Sequence, residues 1–241
     1  MSALQIAFIA FTFLAPPLLW LLSRRIRSPR LVNGIALTFA IMLAGAYALA
    51  LALKLYVDAT FHFDETLPMQ LCDWAAVVTL LALIRRSPLA FELAYCWGLA
   101  GTIQALFTPA IVVEMNSRVI VFFIVHSIIP ASVFWLIFEW KMRPRPGAYF
   151  RVMLWSEIYL GAALLTNALT RGNYGFLSER PVTGSLLDYF ADPEKNWAIY
   201  VIQINATAAV AFGILLLPWA IWGNRSTTKV DTAGKRGTAD A

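Results

Sequence analysis

The stretch Leu67-Pro68-Met69-Gln70-Leu71-Cys72-Asp73-Trp74 joins an acidic loop, residues 58–66, to a long apolar segment. Cys72 and Asp73 stand at the beginning of that apolar segment rather than in the loop before it. An ionisable residue in or near a membrane segment is costly in free energy, so it counts by default as a candidate for function. This thiol and carboxylate are therefore the first candidate site of the chain.

The composition indicates a polytopic membrane protein built from helices. Of its 241 residues, 60% are hydrophobic and 14% are charged. Apolar stretches of about 18 residues or more are typical of membrane-spanning helices. Seven stretches are counted, at 4–22, 31–56, 70–85, 89–108, 118–140, 149–169 and 197–222. We therefore expect an all-α bundle of about seven transmembrane helices in one domain, residues 1–223, followed by a disordered polar tail, residues 224–241.

Charged residues alternate along the chain in a way that predicts its orientation. Basic residues follow the odd-numbered stretches: Arg24, Arg25, Arg27, Arg30, Arg85, Arg86, Lys141, Arg143, Arg145, Arg151, Arg225, Lys229, Lys235 and Arg236. The opposite loops carry acidic residues: Asp58, Asp64, Glu65, Glu114, Glu179, Asp188, Asp192 and Glu194. Because positively charged loops stay in the cytoplasm, we expect the N-terminus outside and the C-terminus inside, in the inner (plasma) membrane. The formal charge of +5 thus reflects topology and does not indicate a nucleic-acid partner.

The first stretch, and the turn between the third and fourth stretches, each allow a further prediction. The first stretch has no Lys or Arg before Arg24, so we interpret it as a retained helix and not as a cleaved signal peptide. The third and fourth stretches leave little beyond residues 85–88 for the turn between them. Glu92 follows that turn, and we expect it to pair with Arg85 or Arg86 rather than to take part in chemistry.

The two cysteines are predicted to be free thiols. Cys96 falls midway along the fourth stretch, at a different depth from Cys72, and a disulfide requires a short and specific distance. Two cysteines and two histidines at these spacings match no structural zinc site, and no nucleotide or phosphate-binding motif is present. We therefore expect no metal and no cofactor.

His126 is the histidine whose predicted depth matches that of Cys72. It lies about two turns below the outer end of the fifth stretch, and Pro130 removes the backbone donor that would have bonded its carbonyl. A thiol within hydrogen-bond reach of an imidazole is the minimal activated nucleophile for acyl transfer through a thioester. Asp73 either orients this base or faces the surface, since it lies about 100° round the helix from Cys72. A lone intramembrane histidine is also often a satisfied hydrogen-bonding group between helices.

Other uncharged polar residues cluster toward the same outer end. Gln104 and Thr108 lie one turn apart on one face. The candidates for holding an oxyanion are the backbone N–H groups at the start of the third helix, Gln70 and Asn167. Uncharged polar side chains in membrane spans also bridge helices, so both roles stay open for them.

Several short motifs, in this order and spacing, resemble the bacterial integral-membrane relatives of the transmembrane protein 164 family. They are Leu67-Pro68-Met69-Gln70-Leu71-Cys72-Asp73, Glu92-Leu93-Ala94-Tyr95, Gly98-Leu99-Ala100-Gly101-Thr102-Ile103-Gln104-Ala105-Leu106, Thr108-Pro109, His126, Asn173-Tyr174 and Ser185-Leu186-Leu187-Asp188. The resemblance covers about residues 30–220. It implies a phospholipid acyltransferase that carries the acyl chain on Cys72 and uses His126 as base. It also adds Asn173 to the candidate substrate-binding residues.

Two functions from different classes follow from these observations. The first is an enzyme that moves or hydrolyses a fatty-acyl group on a phospholipid near the outer leaflet, through a Cys72 acyl-enzyme with His126 as general base. Gln70, Asp73, Gln104, Thr108, Asn167 and Asn173 then line its site. The second is a non-enzymatic protein that binds or transports a lipid or small molecule in a polar cavity. The sequence assigns no oligomeric state.

Overall fold

The computed structural model describes residues 1–57, 61–111, 113 and 116–234, with side chains except those of Val57 and of the residues after Ile221. Asp58 and Glu114, assigned above to outer loops, lie outside these residues, as do Lys235 and Arg236. The predicted tail, residues 224–241, lies beyond the described side chains and stays a prediction.

All regular structure in the described part of the chain is helical, which confirms the predicted class. The α-helices are α1 (Ala3–Ile26), α2 (Pro29–Ala52), α3 (Leu71–Arg85), α4 (Pro88–Trp97), α5 (Ile103–Phe107), α6 (Ser117–Phe138), α7 (Ala148–Thr170) and α8 (Pro193–Gly234). A π-helical turn, Leu53–Val57, extends α2, and another, Gly98–Thr102, joins α4 to α5. Two 3-10 turns, Tyr174–Phe176 and Leu186–Tyr189, lie between α7 and α8.

Five of the described helices are long and apolar enough to cross a membrane, and they are Ala3–Ile26, Pro29–Tyr56, Ser117–Phe138, Ala148–Thr170 and Pro193–Ile221. The predicted third and fourth stretches also form helices, but these are shorter or interrupted. α3 has 15 residues and spans about 22 Å, less than the ~30 Å of a hydrocarbon core. The fourth stretch is divided into pieces of 10, 5 and 5 residues. The count of seven spans and the orientation remain predictions.

The tight turns between α1 and α2 and between α3 and α4 use the same local chemistry. Arg27 and Arg86 close α1 and α3 in the left-handed conformation, with φ of 53° and 51°. Ser28 and Ser87 then accept a hydrogen bond from the first turn of the next helix, and a proline begins that helix. Two residues are therefore enough to reverse the chain between α3 and α4.

The centre of the bundle is α6, which packs against α1, α2, α3, α4 and α5. Its most apolar window is 72% buried inside the protein, whereas the other four candidate spans are 17–28% buried. Among the five candidate spans, α6 is therefore the one most shielded from lipid.

Glu92 is fully buried in α4, and its partners differ from those expected. Arg145 Nε donates to Glu92 Oε1 at 2.8 Å, and Arg151 Nε donates to Oε2 at 2.8 Å. The expected pairing with Arg85 or Arg86 was wrong, because the linker between α6 and α7 folds back and brings Arg145 over the carboxylate. This network ties α4 to α7 at the end of the bundle where α3 ends.

Candidate functional site

The beginning of α3 is held by its own polar side chains. Asp73 Oδ2 accepts a hydrogen bond from the Gln70 backbone N–H at 2.9 Å. A carboxylate in the first turn satisfies an N–H group that has no partner within the helix, and it also interacts favourably with the helix dipole. One oxygen of Asp73 therefore has a structural task, and the carboxylate is held beside Cys72.

Tyr47, on α2, completes a polar cluster with Cys72 and Asp73. Its hydroxyl interacts electrostatically with both side chains, yet it is buried and makes no hydrogen bond of ordinary geometry. Lys54, from the π-helical turn that extends α2, also attracts the carboxylate of Asp73. Its ammonium group donates to the Glu65 carbonyl at 2.6 Å. We call Tyr47, Cys72 and Asp73 the α3 polar cluster.

Aromatic rings from α7 and α4 close the other side of this region. The Tyr159 hydroxyl donates to the Met69 carbonyl at 3.3 Å. The Trp74 ring meets the Tyr159 ring edge-on, with centroids 5.4 Å apart, and the Trp97 ring at 6.5 Å. The α3 polar cluster thus lies next to an aromatic wall.

Three of the predicted substrate-binding residues make hydrogen bonds in the loop after α7. Asn167 accepts from the Tyr174 N–H at 2.8 Å and donates to the Tyr174 carbonyl at 3.0 Å. Gln70 Oε1 accepts from the Gly175 N–H at 3.0 Å, and Asn173 Oδ1 accepts from the Ser178 and Glu179 N–H groups. The Gln70 contact holds the loop after α7 against the start of α3, while the Asn167 contacts hold it to α7 and the Asn173 contacts fix the loop itself.

Gly175 is required where this loop turns. Its φ is +69°, a conformation that favours glycine, and a Cβ there would lie 2.9 Å from the Tyr159 hydroxyl oxygen. The loop, Tyr159 and the start of α3 therefore form one packed unit.

Gln104 and Thr108 are both exposed in the protein. The Thr108 hydroxyl donates to the Gln104 carbonyl at 3.2 Å, one turn back. They share one face near the end of α5, as their spacing predicted, and no described hydrogen bond joins them to the α3 polar cluster.

His126 lies buried on α6, with its ring stacked on Phe122 at a centroid distance of 4.0 Å. Its Nδ1 lies 2.8 Å from the Phe122 carbonyl. Because a carbonyl oxygen can only accept, Nδ1 carries the hydrogen in this arrangement and Nε2 has the free lone pair. α3 packs against α6. Among the described residues, no hydrogen bond joins His126 to Cys72.

Tyr47 and Tyr159 are the site residues that sequence reasoning missed. Tyr47 does carry a signal, because it is a phenol within a run of small residues, 44–48, on a helix otherwise suited to close packing.

Both thiols of the described structure are free, with Cys72 partly buried and Cys96 buried on α4. No group of three metal-ligating side chains comes together within the described ranges. What the site offers chemically is a thiol, a carboxylate and an unpaired phenol at a helix start.

The fold and the site together define a class: an all-helical, multi-pass membrane protein with a polar thiol-containing cluster at one end of a short helix. Residues 1–216 match the model of the TMEM164 family, and the chain therefore belongs to that family. No curated protein and no solved structure matches the chain.

Proposed function

We propose that this protein is an integral membrane lipid acyltransferase, or a lipid hydrolase, that carries the acyl group on Cys72. The observation that supports this most is the α3 polar cluster. A buried hydroxyl without a hydrogen bond costs about 1–3 kcal/mol, so such groups call for a reason beyond packing. The Tyr47 hydroxyl would be satisfied by a ligand bound next to Cys72.

His126 is the general base of the proposed reaction. Its Nε2 takes the thiol proton of Cys72, and the thiolate sulfur attacks the carbonyl carbon of a lipid ester. The bond from that carbon to the lipid oxygen then breaks, and the departing oxygen takes the proton from His126. A lyso-lipid hydroxyl, or water in a hydrolase, then attacks the thioester after giving its proton to His126. The bond from the carbonyl carbon to the Cys72 sulfur then breaks, and the released thiolate takes the proton back from His126, which restores the thiol.

The oxyanion needs donors at the position where its charge develops. Gln70 and Asn167 are candidates, but their amide groups bind the loop at Tyr174 and Gly175. The Tyr47 hydroxyl is not bound to this loop and lies beside Cys72, so we assign the donor role to it. The proposal also requires lipid binding to bring His126 and Cys72 within reach, which is common for catalytic contacts that tighten only around substrate.

We also propose seven spans, with the α3 polar cluster near the outer leaflet of the inner (plasma) membrane. In this arrangement α3 and the α4–α5 pair cross as a short, interrupted hairpin shielded by their neighbours. Irregular helix geometry at membrane depth is tolerated where protein surrounds it. The π-helical turn at Gly98–Thr102 packs between α3 and α6 and meets this condition.

The first test is the intact mass of the detergent-purified protein, supplied with phospholipid, before and after neutral hydroxylamine. We expect a fatty-acyl adduct that hydroxylamine removes from the wild type and from Cys96→Ala, but that is absent from Cys72→Ala. Cys96 is the matched control, because it is the other free thiol. An adduct that persists in Cys72→Ala, or no adduct with any phospholipid, would overturn the acyl-carrier role.

The second candidate is non-enzymatic lipid binding or transport. It is favoured by an apolar groove of about 310 Å³ between α1, α2 and α6, lined by Leu4, Ala7, Phe8, Phe11, Met42, Ile124, Ser127 and Ile128. A groove of this size and polarity fits part of an acyl chain. Lipid that binds in this groove without forming any acyl adduct on Cys72 would favour this candidate over the enzyme.

A further inference from the structure

A second groove lies at the far end of the bundle from the α3 polar cluster. It has a volume of about 510 Å³ and is lined by Trp20, Leu21, Arg24 and Arg25, all from the last two turns of α1. Leu21 and both arginines are exposed, and Trp20 is half-buried. The groove therefore combines an apolar wall with a cationic rim.

Two cations share one aromatic ring at this rim. The Arg24 guanidinium carbon lies 5.2 Å from the Trp20 ring centroid, and Lys141 Nζ lies 5.0 Å from it. Cation–π contacts of this length hold the charges in place without neutralising them. The rim is thus built from α1 and from Lys141, in the linker that follows α6.

No carboxylate offsets these charges by an ion pair in the described part of the chain. Glu139 is close in sequence, but its Oε2 accepts a hydrogen bond from the Ser23 hydroxyl at 2.6 Å. Lys141 donates to the Phe138 carbonyl at 2.6 Å, which leaves its charge in place. The groove therefore offers positive charge to a ligand.

Three other basic residues at this end of the bundle, Arg86, Arg145 and Arg151, are engaged within the protein. Arg145 and Arg151 share the carboxylate of Glu92. Arg86 lies 4.0 Å from the Trp140 ring centroid and donates to Asn33 Oδ1 at 3.0 Å. The groove on α1 differs from these because its cations border an open apolar surface.

We propose that this groove binds the headgroup of an anionic phospholipid. Its phosphate would lie between Arg24, Arg25 and Lys141, with the glycerol and the upper acyl chain along Trp20 and Leu21. Basic residues near a membrane surface attract anionic lipids, and tryptophan favours the same interfacial depth. This inference is independent of the chemistry proposed for Cys72.

The test is a lipid titration of the full chain by native mass spectrometry, using phosphatidylglycerol and phosphatidylcholine with identical acyl chains. We expect tighter binding of phosphatidylglycerol, and a loss of about tenfold in its affinity in the double variant Arg24→Gln/Arg25→Gln. The control is Arg27→Gln/Arg30→Gln, which removes the same charge at the same end without touching the groove. Its affinity should change less than about twofold.

Two outcomes overturn the inference: equal weakening in both double variants, which would indicate surface charge alone, or equal affinity for the two lipids. Displacement of the lipid by millimolar inorganic phosphate would show that the anion and not the headgroup is recognised, and would also overturn it. Lys141 contributes to the rim from outside α1. Lys141→Gln therefore tests the site if the α1 double variant does not fold. It should weaken phosphatidylglycerol binding as well.

Discussion

At the scale of single residues, a substitution of Tyr47 is expected to lower the rate of acyl transfer without lowering the stability of the protein. Its hydroxyl is buried beside Cys72 and Asp73 and makes no hydrogen bond of ordinary geometry with either. Tyr47→Phe removes the unpaired group and should leave the protein equally stable or slightly more stable. If the hydroxyl holds the oxyanion, the rate of acyl transfer to Cys72 should fall about 100-fold with lipid affinity unchanged. Single-turnover mass spectrometry of the thioester measures this rate.

Tyr95 provides the control for Tyr47. Its hydroxyl donates to the Leu215 carbonyl at 2.8 Å and accepts from Trp219 Nε1 at 3.0 Å. Tyr95→Phe should therefore destabilise the protein by about 1 kcal/mol and leave the rate of thioester formation unchanged. Equal rates in Tyr47→Phe and wild type would remove Tyr47 from the mechanism, while the acyl-carrier role of Cys72 would still stand.

The sequence was enough to select candidate residues for the site, but not to predict which of their side chains are in contact. Polar side chains interrupt apolar stretches, and this pointed to Cys72, Asp73 and His126. Which side chains meet depends on helix rotation, and one residue turns a side chain by about 100°. That rotation brings Cys72 to Tyr47 from α2, and no periodicity in the sequence encodes it.

At the scale of elements, the loop after α7 acts as a clamp on the start of α3. Gly175→Ala should loosen it, because φ is +69° and the new Cβ would lie 2.9 Å from the Tyr159 hydroxyl oxygen. We expect a loss of about 1–3 kcal/mol. Hydrogen exchange at the Tyr174 and Gly175 amides should become faster, since the substitution would strain their hydrogen bonds to Asn167 and Gln70.

Gly161 is the matched control for Gly175. It lies within α7, and a Cβ there would meet nothing within 4 Å. Gly161→Ala should leave exchange in the loop unchanged and should not lower stability, because alanine is the better helix former. If both substitutions had the same effect, the clamp would not depend on the turn at Gly175.

Helix boundaries were largely predictable, whereas contacts between distant elements were not. The turns at Arg27-Ser28-Pro29 and Arg86-Ser87-Pro88 follow from local chemistry. The partners of Glu92 do not, because they depend on how the linker between α6 and α7 folds back. Local signals act over a few residues, and the pairing of Glu92 with Arg145 spans 53.

At the scale of the whole molecule, the ends of the bundle differ in charge and chemistry. One end holds the Glu92 network and the cationic groove on α1, while the other holds the α3 polar cluster and the clamp. If the positive-inside rule decides orientation here, the first end faces the cytoplasm. A lipid bound in the α1 groove and a lipid that donates its acyl group to Cys72 would then belong to opposite leaflets.

Cysteine labelling tests this orientation directly. In a Cys72→Ala/Cys96→Ala background, Val182→Cys marks the loop before α8 and Pro146→Cys marks the linker before α7, and both positions are exposed. Neither substitution alters a charge, so the signal that sets orientation is preserved. In right-side-out membrane vesicles, a membrane-impermeant maleimide should label Val182→Cys at once and Pro146→Cys only after detergent is added. The reverse pattern would place the α3 polar cluster at the inner leaflet, and labelling of both cysteines in intact vesicles would contradict a single orientation.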